Sequence, residues 1–195
     1  MEPRLGIYIH IPFCASKCGY CDFYSCAGAA DRMADYQHAL LEHIEESAGR
    51  IAPAYIDTVY FGGGTPSFYG AARLIELLDA VKATGRLLKR AEVTVEVNPD
   101  SVRLHDLRAL HKAGFNRLSI GMQSANNDIL KMIGRRHSFR QVEMAVQNAR
   151  TAGLRQRQPR PHLRPAQPDP QRLGGHARQG DRPAPGAHLR LRAQA

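Results

Sequence analysis

Cys14, Cys18 and Cys21 stand in the pattern Cys-x3-Cys-x2-Cys, directly after the alternating run Ile7-Tyr-Ile-His-Ile11. Three clustered thiols on one loop are a soft-metal donor set before they are anything else. A disulfide framework needs pairing partners and an oxidising compartment, and this cluster supplies neither. Structural zinc asks for four ligands, usually as two separated pairs, and no second CxxC follows. An iron–sulfur cubane is normally held by four thiolates, so three would leave one iron open to bind something else. The cluster reading ranks above zinc, and zinc above a bare structural role. Cys26, the fourth cysteine, is read as a small buried hydrophobe.

These thiols need a frame, and the chain supplies repeated strand–helix units. Strands are expected at Leu5 to Ile11, Ile56 to Phe61, Glu92 to Val97 and Asn116 to Gly121. Helices are expected at Asp31 to Gly49 and Ala71 to Thr84, after a Ser101 cap up to Gly114, and from Ser138 to near Gly153. Alternation of this kind gives parallel strands with crossover helices, an α/β fold. Each strand is apolar on one face only. Ile7, Ile9 and Ile11 oppose Tyr8 and His10, and Val93, Val95 and Val97 oppose Thr94, Glu96 and Asn98. Parallel strands covered on both faces read as continuous apolar runs. A partly closed barrel with a wet, ligand-lined interior explains the alternation, and an open sheet with one thinly covered face is the alternative. In a barrel the cysteine loop falls at the C-terminal end of the first strand, where active sites gather.

The segment from Tyr8 to Phe23, Tyr-Ile-His-Ile-Pro-Phe-Cys-Ala-Ser-Lys-Cys-Gly-Tyr-Cys-Asp-Phe, resembles the opening of a radical S-adenosylmethionine (SAM) enzyme. More narrowly, it resembles the oxygen-independent coproporphyrinogen III oxidase family. The resemblance implies that Cys14, Cys18 and Cys21 hold a [4Fe-4S] cluster whose open iron chelates SAM. It assigns SAM contacts to Tyr8, to Gly63, Gly64 and Thr65 of the Gly-Gly-Gly-Thr-Pro run, and to Glu96. Gln123 and Arg135 match positions that bind a second SAM in the oxidase. The oxidase has a further cysteine in a Cys-x-Cys pattern, whereas here Cys21 is followed by Asp22 and Phe23. That departure points to the haem chaperone (HemW) branch, whose members bind haem and pass it to haem proteins. The implied function is cluster and SAM binding in haem or porphyrin metabolism, with SAM-dependent oxidative decarboxylation of coproporphyrinogen III as the alternative. The implied partners are haem or porphyrinogen, a reductant protein and haem-accepting proteins. Whether the chain is an enzyme stays open.

Composition divides the chain. It has 195 residues, is 43% hydrophobic and carries a formal net charge of +9. No run is long and apolar enough for a spanning helix and no secretory leader is present, so the cytoplasm is expected. Residues 1–154 hold 18 Lys plus Arg against 16 Asp plus Glu, whereas residues 155–195 hold nine Arg and two Asp. Seven of the 12 prolines fall in that second stretch. The expected organisation is a radical SAM core segment at 1–154, with about four of the six usual strand–helix units, and a disordered Arg/Pro-rich tail at 155–195. The tail uses only residues whose codons can begin with C or G. Shifted in frame, Arg155 to Ala166 can read Asp-Asn-Val-Ser-Leu-Asp-Leu-Ile-Tyr-Gly-Leu-Pro, which resembles the family's next strand and motif. A single-base slip near Leu154 is therefore the expectation, ahead of a basic nucleic-acid-binding arm or an inert disordered end. No nucleic acid is expected as a partner. A fold cut there should be unstable alone, with its fourth strand an exposed edge and no substrate turnover.

Overall fold

The computed structural model describes residues 3–156 and 189–194. Its centre is a sheet of four parallel strands, β1 (Arg4–Ile11), β4 (Tyr55–Gly63), β5 (Arg86–Val97) and β6 (Arg117–Ile120), which neighbour one another in the order β1, β4, β5, β6. A two-residue strand β7 (Arg155–Gln156) runs parallel beside β6, and β8 (Leu189–Gln194) pairs antiparallel with β1. Among the described residues the order β7-β6-β5-β4-β1-β8 is open at both ends, so the barrel they form is partial. The fourth strand is not left bare, because β7 covers its start. Of the segment expected to be disordered, 155–156 and 189–194 are strands, and 157–188 and 195 lie outside the described residues.

The alternation read from the sequence has a direct structural cause. Successive residues of a strand point to opposite faces. On the outer face Ile9, Ile11, Val59, Phe61 and Val95 are wholly buried. They pack under α1 (Met33–Glu46), α4 (Ala71–Thr84), α5 (Leu104–Ala113) and α7 (Phe139–Thr151), in one continuous core. These helices supply Leu40, Ile44, Leu74, Leu77, Leu107 and Ala149. The inner face carries Tyr8, His10, Tyr60, Glu96 and Ser119, all only partly covered.

Boundaries differ where local signals mislead. β5 begins at Arg86, well before Glu92, because Arg86 and Leu87 pair with Tyr55 and Ile56 before an irregularity after Ile56 shifts the register to Glu92 opposite Thr58. The first long helix stops at Glu46 and gives way to α2 (Ala48–Ile51). The α5 cap is Arg103, not Ser101: the Arg103 N–H donates to Asp106 Oδ2 at 3.2 Å. Ser101 instead donates to the Asn98 carbonyl and bonds the Ser67 hydroxyl. Ser138 does cap α7, with Gln141 accepting from its N–H at 2.8 Å. Two short helices, α3 (Pro66–Tyr69) and α6 (Asn127–Met132), complete the loops above the sheet.

Candidate functional site

The C-terminal ends of the parallel strands open into one cleft. Nine of the ten residues singled out in the sequence line it: Cys14, Cys18, Cys21, Gly63, Gly64, Thr65, Glu96, Gln123 and Arg135. Tyr8 does not line it. Tyr8 lies on the same inner face, bonding His10 Nδ1 through its hydroxyl at 3.2 Å and stacking on Tyr60 at 5.9 Å.

The cysteine loop is anchored at its base. Two-residue strands β2 (Phe13–Cys14) and β3 (Cys26–Ala27) pair in parallel, and Cys26 N–H donates to the Pro12 carbonyl. Phe13 is stacked on Tyr69 at 5.4 Å and meets the Tyr36 ring edge-on at 5.2 Å, which fixes Cys14 beside it. The glycine run then docks against this base: Gly64 N–H donates to Ile11 O at 2.7 Å and Thr65 N–H to Phe13 O at 2.8 Å. A Cβ on Gly64 would lie 2.9 Å from the Phe13 carbonyl oxygen and 3.0 Å from Cys14 Sγ, so only glycine allows this approach.

Cys14 is buried, which pushes its thiol above the ordinary value, and the Thr65 hydroxyl opposes this by donating to Cys14 Sγ at 3.4 Å. A thiolate at this position gains from a metal cation. Cys18 Sγ accepts from Arg135 Nη1 at 3.7 Å, a cation set against a sulfur that carries charge when ligating. Cys26 is turned away and half-buried, its Sγ toward the Pro12 carbonyl at 3.6 Å. All four cysteines are free thiols. Among the described residues no group of three His, Cys, Asp or Glu converges closely enough to form a ready metal cage. The three thiols share the cleft but stay apart, as uncrosslinked ligands on an exposed loop do. Three soft donors on one loop, with the fourth cysteine excluded, fit an iron–sulfur cluster with an open iron better than a tetrahedral zinc.

The far wall is built by a second clamp. Arg135 donates to the Gly121 carbonyl at 2.9 Å and, through the same nitrogen, to Asn98 Oδ1. His137 lies against the next carbonyl, with Nε2 3.1 Å from Met122 O. Between them Gln123 adopts a φ of 61°, the one positive φ outside glycine among the described residues. Its Oε1 is buried without a partner, as is Arg135 Nε. Polar atoms left in that state on a cleft wall are suited to a polar ligand.

Burial holds the His137 pKa below its ordinary 6.5, with the Met122 carbonyl acting in the opposite direction. A histidine whose folded pKa is depressed binds protons more readily when unfolded, so its share of stability is lost as pH falls below about 6.5. Thermal melts should therefore show Tm falling just below that pH, and His137→Gln should flatten this part of the profile. An equally steep profile in the variant would refute the assignment.

Residue-type reasoning missed Tyr60, Asn98, His10 and His137. Tyr60 and His10 share the inward parity of Glu96 and Tyr8, which is the signal that could have found them. His10 Nε2 lies 2.8 Å from the Tyr24 carbonyl on the returning leg of the cysteine loop, and its ring fills the place that a Cβ on Gly63 would take.

Residues 8–159 match the Radical SAM superfamily. The chain is 38% identical over 154 residues to the haem chaperone HemW of Escherichia coli, covering 78% of this chain and 41% of that protein. It is 38% identical over 152 residues to HemW of Mycobacterium tuberculosis, covering 76% and 39%. The solved structure of coproporphyrinogen III oxidase (HemN) from Escherichia coli, a radical SAM enzyme, superposes with a TM-score of 0.73 at 28% identity, over 78% of this chain and 35% of that one. The chain thus spans about two fifths of the length of the curated relatives it matches. With a partial parallel barrel, a cysteine loop after its first strand and a match over 8–159, this chain belongs to the radical SAM superfamily.

Proposed function

We propose that this chain carries the cluster- and SAM-binding part of a HemW-like haem chaperone of the cytoplasm. The observation that supports this most is the gathering of nine motif residues, from five separate segments, around one cleft. Cys14, Cys18 and Cys21 would hold three irons of a [4Fe-4S] cluster, and Gly63, Gly64, Thr65, Glu96, Gln123 and Arg135 would receive SAM, with Tyr8 behind them. When bound, cluster and SAM together supply one-electron reduction and a 5'-deoxyadenosyl radical.

The chain's own residues contribute placement and charge. The glycine bend brings backbone to the cleft without a Cβ in the way, its own N–H groups being held by Glu96, Ile11 and Phe13. Glu96 offers a carboxylate to hydroxyl or ammonium donors. Arg135 balances anionic sulfur at Cys18 and anchors the Gly121 turn. Haem, a reductant protein and haem-accepting proteins are the partners of this reading. Among the described residues no helix is long and apolar enough to cross a membrane.

Coproporphyrinogen III oxidation is the second reading, favoured by the superposition on that oxidase. Phe23, two residues past Cys21, occupies the place where the resemblance puts the further cysteine of the oxidase's Cys-x-Cys, which favours the chaperone. The deciding experiment is anaerobic reconstitution with iron and sulfide, followed by separate additions of SAM with coproporphyrinogen III and of haem. The chaperone reading expects a SAM-sensitive cluster EPR signal and haem absorbance retained through gel filtration, without protoporphyrinogen. Protoporphyrinogen formation reverses the choice, and failure to retain iron overturns both. The out-of-frame reading of 155–195 belongs to this proposal too, and sequencing the coding DNA across Gly153 and Leu154 tests it.

A further inference from the structure

The inner wall of the cleft holds a pair that none of the motifs assigns. Tyr60 Oη donates to Glu96 Oε1 at 2.6 Å, and the Gly63 N–H donates to Glu96 Oε2 at 3.2 Å. Both carboxylate oxygens are thus held, one by a side chain and one by backbone, and each keeps lone-pair capacity for a further donor. Tyr60 cannot move freely, because its ring stacks on Tyr8 with planes 20° apart. Burial first, and the Glu96 charge second, hold the Tyr60 phenol well above its ordinary range, so it stays a donor.

Gly62 belongs to the same unit. A Cβ there would lie 2.7 Å from Tyr60 Cε1 and 3.2 Å from Glu96 Cδ. The strand register sets Tyr60 beside Thr94, two residues short of Glu96, so the pair meets on the diagonal across the space above Gly62. A methyl group at that point separates hydroxyl from carboxylate.

We propose that Tyr60 is a positioning residue for the SAM site, aiming the Glu96 carboxylate at the ligand's hydroxyl or ammonium donors, and that Gly62 is glycine to let the two meet. This rests on the SAM-binding reading of the cleft. Tyr60 acts through Glu96, not on the reacting atoms.

The test uses the full chain, reconstituted anaerobically, with SAM as the probe. Tyr60→Phe keeps the ring and its stack and removes only the hydroxyl. Iron content should be unchanged and the Kd for SAM should rise about tenfold, the usual scale for a hydrogen bond to a charged group. Gly62→Ala should weaken SAM binding to a similar degree, and the double variant should lose no more than the worse single one, because both break one contact. In the cluster-free chain, carboxyl-labelled glutamate NMR should show the Glu96 resonance, identified through Glu96→Gln, moving in Tyr60→Phe. A Kd within twofold of the unaltered chain overturns the proposal, as do multiplicative losses in the double variant. If the unaltered chain binds no SAM, the SAM-site reading fails. The coupling is then judged by NMR alone, and an unmoved Glu96 resonance overturns it.

Discussion

Alanine at Cys14, Cys18 or Cys21 will reduce the iron held after anaerobic reconstitution from about four per chain to background, while Cys26→Ala will leave it unchanged. The three share one cleft, whereas Cys26 faces the Pro12 carbonyl at the base of the loop. A cluster anchored by three thiolates has no spare protein ligand, so losing one leaves a second iron without an anchor. Binding of this kind scales steeply with ligand count, because each thiolate contributes charge as well as a bond. Iron and acid-labile sulfide assays with EPR of the reduced protein decide the matter. A single variant that keeps full iron, or a Cys26 variant that loses it, would sink the ligand assignment. Cys14→Ala needs a melting curve beside it, because Cys14 is 8% exposed and packs under Thr65.

Phe61→Ala will remove most of the fold's stability. Phe61 is wholly buried in the middle of the sheet and faces Phe115, with ring centroids 5.1 Å apart at 49°. Truncating a buried Phe to Ala costs about 3–5 kcal/mol, through lost transfer energy and the cavity left behind. A domain commonly has only about 5–15 kcal/mol in total. A sheet whose described strands leave both edges open has little to spare, so the variant should be largely unfolded at 37 °C. Urea unfolding followed by circular dichroism gives the number, and a loss under about 1 kcal/mol would show that the outer face is not the core.

The outward and inward sets of the strands were readable because burial imposes period two on every strand that has one wet face. Ile7, Ile9 and Ile11 went outward, and Tyr8 and Glu96 inward, as their parity required. The Tyr60–Glu96 contact was not readable. It depends on the register between β4 and β5, which a bulge resets, and no single strand contains that information. The role of His137 was hidden for a related reason: its partner carbonyl is 15 residues away, on the other side of α6. α6 was missed because six residues are too few for a periodic pattern, although Asn126, which accepts from the Asp128 N–H at 2.8 Å, is a cap signal. The ligand roles came from the resemblance. Spacing alone said metal, and only the company of Gly63 to Thr65, Glu96 and Arg135 narrowed the cofactor.

The hydrogen bond from Arg135 to Cys18 spans 117 residues of sequence, and this has a consequence for biosynthesis. The cysteines leave the ribosome early, and the arginine that steadies Cys18 follows 117 residues later. At about 5–20 residues per second the thiols wait roughly 6 to 23 seconds before the far wall of their cleft exists. During that interval they are unshielded and open to oxidation or to stray metals. If a cluster is seated only once that wall has formed, the oxygen tension met by the nascent chain will govern how much of the protein is loaded.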